Sequence, residues 1–282
     1  SQKEIAERLG VSPTQVTKWK KGDSMSLEME EKFRALTGIG EHDPRVVSTA
    51  GSVEQAIKWE NLISFLAETA EQAQETGYNT EPLQHDVDLL ISHLFSCLED
   101  LGIEFPDRLP PELDFDYQNA PPESEVEHEV IINENPYSST IYSAFCKLND
   151  LYGFYAAYIS ELMFNENLSL LDSEAENIEP NLLHLAFAKL ELDSSFAPNF
   201  RKFRSQTFKD FEQWINTVKC KAWQSGVPIR EELMKLVNAD SETVGFAAER
   251  ESLGFNTDQI HPDVYMNELL VGMRTIHQVL PA

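Results

Sequence analysis

The sequence predicts an all-α protein in two unequal parts. Apolar residues recur at intervals of three and four in one segment after another, the spacing of an amphipathic helix face. Strand-like alternation is confined to EVEHEVIIN at 125–133, for which the chain offers no partner strand. Between residues 38 and 52, Gly, Pro and Ser collect with little periodicity, which predicts a linker at 40–52 between a small head at 1–39 and a larger helical domain at 53–282. At 282 residues the chain is long enough for both.

In the head, Ile5 and Leu9 lie four apart on one helix face, with Ala6 beside them where a second helix can approach closely. Gly10 follows where the chain must turn left-handed to leave the helix. Ser12-Pro13-Thr14-Gln15 then supplies an N-cap, a proline at the first helical position and a Gln able to complete a capping box. Val11, Val16 and Trp19 continue the apolar set, leaving Thr14, Gln15, Thr17, Lys18, Lys20 and Lys21 on the outer face of the second helix. Hydroxyls, an amide and lysines suit a groove lined with phosphates and base edges. A third helix is predicted in SLEMEEKFRALTGI, with Leu27, Met29, Phe33 and Leu36 turned inward. The plainer reading is a helical pair used only for packing, but packing alone gives no reason to combine a lysine-rich outer face with a tight, glycine-made turn.

The order Gln2, Ala6, Gly10, Val16, Trp19 resembles the helix-turn-helix of the Cro/C1 repressor (XRE) family, over residues 1–39 only. The resemblance implies double-stranded DNA as partner, with Gln2 on a phosphate, Thr14 and Lys18 facing base edges, and Lys21 on bases or backbone. Ser12, Gln15 and Thr17 complete the candidate DNA-binding set. Pro13 stands where many members insert their first reading side chain, so Lys18, able to donate to guanine O6 and N7, is the stronger base contact. The family's first helix is missing before Ser1, and the chain is expected to be a truncated form of a longer protein.

Charge separates the two parts. The chain carries 22 Lys+Arg against 48 Asp+Glu, a net charge of -26; residues 1–47 hold eight of each sign, leaving 14 basic and 40 acidic side chains for the rest. So negative a domain is repelled by the phosphate backbone and is no second general DNA surface. Cys97, Cys146 and Cys220 stand far apart in apolar helical stretches and are expected to be reduced core residues. No signal peptide and no apolar run of membrane-spanning length is evident, and the expected location is cytoplasmic.

In the large domain, helical spacing runs through 53–76 and 83–101, an antiparallel hairpin turning at Gly77. Residues 104–137 form a long irregular acidic loop, since 104–136 holds six of the fourteen prolines and ten acidic residues against one Arg. Residues 138–164 give the most aromatic helix, apolar on nearly every side and so expected in the domain's centre or a subunit interface. Further helices are predicted at 180–192, 198–223, 228–237, 241–253 and 263–280.

Catalytic and metal chemistry find no positive support. His85, Asp86, Asp88 and His93 lack a third clustered His or Cys for a tetrahedral site, and Glu125, Glu127, His128 and Glu129 read as a solvated charge run. The chain has no P-loop, dinucleotide fingerprint or nucleophile elbow. Between Arg201 and Lys221 six basic residues alternate with aromatics, which suits either a nucleic-acid face or, in so acidic a domain, pairing with carboxylates. The expected function is a DNA-binding transcriptional repressor without cofactor or enzymatic activity. Its helical domain would dimerise and engage a protein or small-molecule effector, and two heads would read a palindrome. The alternative is a toxin-neutralising or defence-system protein whose acidic domain holds a basic protein partner.

Overall fold

The computed structural model describes residues 1–84, 87–117, 132–255, 269–273 and 276, and among these every regular element is helical. The chain divides into two compact units: Ser1–Glu60 with Phe105–Pro110, and Asn61–Glu104 with Pro111–Ala282.

The first unit holds α1 (Gln2–Leu9), α2 (Pro13–Trp19), α3 (Leu27–Thr37), α4 (Pro44–Ala50) and the start of α5 (Val53–Gln72). Segment 40–52, expected as a linker, carries α4: Asp43 caps it, Pro44 opens it, and Val46 and Ala50 are buried. The Arg34 guanidinium ties α3 to this segment by donating to the Gly40 and His42 carbonyls at 3.0 and 2.9 Å. Trp59 is fully buried, edge-on to Phe105 at 5.6 Å, and the Leu109 amide donates to Gln55 Oε1 at 2.7 Å. Leu27, the first residue of α3, was expected inward but is 74 % exposed; Met29, Phe33 and Leu36 are half-buried.

The second unit is built on α8 (Pro136–Tyr158), which follows α6 (Glu81–Gln84) and α7 (Val87–Asp100). Asn135 caps α8, its side chain accepting from the Tyr137 amide at 2.9 Å. Phe145, Leu151, Phe154, Tyr155 and Tyr158 are all buried within this single chain. The domain-centre reading of the aromatic helix therefore holds, and its apolar surface supplies no argument for an interface. Around it stand α9 (Ser160–Met163), α10 (Leu182–Ala188), α11 (Phe200–Ser225), α12 (Lys235–Asn238) and α13 (Ser241–Ser252). Tyr158 donates to the Ala247 carbonyl on α13 at 3.0 Å, and Asn149 to the Ala70 carbonyl at 2.7 Å.

Several boundaries differ from the sequence expectation. α5 ends at Gln72, short of the expected 76, and the chain passes Gly77, φ 75, before α6 and α7. The aromatic helix stops at Tyr158, leaving Phe164 exposed, and the helix expected at 228–237 shrinks to α12. Of the acidic loop, residues 104–117 contain only the 3₁₀ turn Pro111–Leu113, whereas 132–134 are already helical. The expected short strand falls largely on 118–131, outside the described residues, as does most of 263–280. Cys97 is buried, Cys146 half-buried and Cys220 exposed, which corrects the expectation of three core thiols: Cys220 lies off the α11 stripe of Phe203, Thr207, Phe211, Ile215, Val218 and Ala222.

α13 lies close on α8 because Gly245 has no side chain: a Cβ there would fall on the Asp150 carboxylate. Gly to Ala inside a helix ordinarily gains up to about 1 kcal/mol. Here Gly245→Ala is expected to lose about 1–3 kcal/mol by overpacking, read as a lower urea midpoint; an unchanged midpoint would mean that the helices are not in close contact.

Burial pushes the Asp150 carboxyl up to about 6, against the pull of Lys147 and of a hydrogen bond with Ser241. A folded-state value above the unfolded one means that this group's stabilising contribution is full below about pH 4 and lost as pH rises through about 6. Asp150→Asn should therefore gain on the wild type between pH 4.5 and 7. Discounted for partial exposure, the gain is about 1–2 kcal/mol; a pH-independent difference between the two proteins would contradict it.

Candidate nucleic-acid interface

The α1–α2 pair is fixed by local chemistry at every step. Ser1 caps α1, its hydroxyl accepting from the Glu4 amide while the Glu4 side chain returns the bond, a full capping box. Gly10 ends α1 in the left-handed region (φ 69, ψ 30), and the Val11 amide donates back to the Ala6 carbonyl at 2.9 Å. Ala6, Leu9 and Val16 are buried. Ser12, extended at φ -77 and ψ 149, accepts from the Gln15 amide at 3.1 Å. That is one arm of the expected capping box; the reciprocal pair is formed at Ser1 and Glu4 instead.

The candidate residues divide by exposure. Gln2, Ser12, Thr14, Lys18 and Lys21 are exposed, whereas Gln15 and Thr17 are half-buried. Thr14 and Lys18 stand four residues apart on α2, so they share a face and rise about 6 Å along it. The Thr17 hydroxyl donates to the Pro13 carbonyl at 2.9 Å, so its proton is spent on its own helix. Lys21 is not on the helix as expected: α2 ends at Trp19, Lys20 caps it, and Lys21 lies in the turn that closes at Gly22 with φ 96.

Charge on this surface is available. Arg8 pairs with Glu4 at 3.2 Å, Lys32 with Glu28 at 2.7 Å and Arg34 with Glu30 at 3.2 Å, so these ion pairs leave Lys18, Lys20 and Lys21 uninvolved. The structure thus presents three lysine ammoniums and the Thr14 hydroxyl toward solvent from one short segment. Such a set can donate hydrogen bonds to phosphate or base oxygens.

On α11 three of the six cations between Arg201 and Lys221 are held within the chain, Lys219 lying 4.0 Å from Glu232, while Arg201, Lys202 and Lys209 are exposed. Arg204 pairs with Glu191 at 3.3 Å and lies over the rings of Phe200 and Phe208, and Lys221 donates to the Leu168 and Ser169 carbonyls. Internal pairing accounts for Arg204, Lys219 and Lys221. Lys221 closes over a loop whose Ser169 has φ 46, a contact no sequence pattern signals.

Among the described residues no three His, Cys, Asp or Glu side chains are grouped to hold a metal. His85, Asp86 and the 125–129 charge run lie outside the described residues, as does the Asp88 side chain. None of the described helices is long and apolar enough to cross a membrane. No protein-family model matches the chain, and neither a curated protein nor a solved structure matches it.

Proposed function

We propose that this chain is a sequence-specific DNA-binding transcriptional repressor of the helix-turn-helix kind. α2 is its recognition helix, and a homodimer presents two heads to a palindromic operator. The observation that carries the reading is the exposed Thr14–Lys18 face of α2, continued by Lys20 and Lys21 and held on α1 by the Gly10 turn. Gln2, at the start of α1, adds an amide for a phosphate. Ser12 and Gln15 serve chiefly to start the helix. The second unit, with its large excess of carboxylates, stays clear of the phosphate backbone and confines DNA contact to the head.

A gel-shift titration on the upstream region of the gene tests the reading. The wild type should bind one site, with affinity falling steeply as salt rises. Lys21→Ala should weaken binding to all sequences alike and reduce the salt slope by about one per head, the signature of a lost phosphate contact. A salt slope identical to the wild type would remove Lys21 from the interface.

A further inference from the structure

The second unit contains a cavity of about 310 Å³ between α6, α7, α8 and α10. Its wall includes Leu90, Leu148, Leu182 and Leu183, each nearly inaccessible to solvent and yet lining open space, with Leu89 and the His93 imidazole beside them. Its mouth carries Glu81 and Glu179, both exposed and each followed by a proline that opens a helical turn. The two carboxylates converge: both lie within reach of the Tyr152 hydroxyl, and Tyr155 donates to Glu179 Oε2 at 2.7 Å. A close-packed protein interior does not leave such leucines unfilled without consequence, and apolar cavities of this size with a few convergent polar groups are the usual form of a small-molecule site.

We propose that this cavity binds a small lipophilic amine, its hydrocarbon against the four leucines and its ammonium between Glu81 and Glu179. The charge selects the class. Two carboxylates at the mouth repel carboxylate or phosphate ligands and would attract a cation, helped by the 40 acidic against 14 basic residues that follow position 47. The volume selects the size, since it accepts one ring or short alkyl chain and not an extended peptide. That this amine would be the effector releasing DNA rests on the repressor reading; the binding itself does not.

Calorimetric titration of the full chain, without DNA, with hexylammonium, methylammonium, 1-hexanol and hexanoate tests the site. Hexylammonium should saturate at one per chain, hexanol should bind at least tenfold more weakly, and methylammonium and hexanoate should show no saturable binding. Glu179→Gln keeps an acceptor for Tyr155 and should cost hexylammonium at least tenfold while leaving hexanol unchanged. Leu183→Trp should fill the cavity and abolish both. Equal binding of hexylammonium and hexanoate, no saturable binding of any probe, or wild-type affinity in Glu179→Gln would overturn the proposal. If hexylammonium binds as expected yet leaves the gel shift unchanged, the site stands and its coupling to DNA release fails.

Discussion

Alanine at both Thr14 and Lys18 is expected to abolish protection of the operator while leaving the fold intact. Both side chains are exposed and neither caps a helix nor joins an ion pair in the head. Alanine is the best helix former, so α2 loses nothing by the exchange. A good base contact discriminates by roughly 1–3 kcal/mol, and two heads on a palindrome double the loss, so affinity should drop about thirtyfold or more. Footprinting reads the loss, and circular dichroism with a urea titration reads the fold. A double variant that keeps both its structure and wild-type protection would show that α2 is not the recognition helix.

The second large effect is on stability. Phe154 is fully buried on α8, its ring 4.8 Å from that of Tyr158. Phe154→Ala removes those contacts and leaves a cavity that rigid helices close only in part, a loss of about 3–5 kcal/mol. Against a typical total of about 5–15 kcal/mol, that is enough to unfold much of the second unit under mild denaturant. Tyr158→Glu should be worse, because it forfeits the hydrogen bond to Ala247 and buries a carboxylate in its place. A loss below about 1 kcal/mol for Phe154→Ala would show that α8 is not at the centre of the unit.

Legibility in the sequence followed the range of the forces involved. A start set by a polar cap and a proline was readable at Ser12-Pro13, because cap and helix are neighbours in the chain. The same signal was passed over at Asp43-Pro44, among Gly and Ser that read as a linker, and at Asn135-Pro136, at the end of an acidic, proline-rich run that read as a loop. At Pro228 a proline introduced no helix: Ile229, Glu231 and Leu233 are buried in irregular backbone. In the head, the Gly10 turn and the exposure of Thr14 and Lys18 were legible, whereas the end of α2 before Lys21 was not, because Lys20 and Lys21 carry no stop signal of their own. The leucine cavity had no sequence signature. Its wall residues come from helices separated by up to about a hundred residues and meet only in the fold.

The composition of the first unit bears on how the protein is made. Its core closes with Phe105 against Trp59 and Leu109 against Gln55, partners separated by 46 and 54 residues. On a ribosome this unit therefore cannot complete its core when α1 to α4 emerge; it waits for residue 110, by which point all of α5, α6 and α7 has been synthesised. Contacts so distant along the chain form late, after the loop between them has been brought to heel. A nascent chain stalled before residue 105 would leave Trp59 without the Phe105 ring that packs edge-on against it.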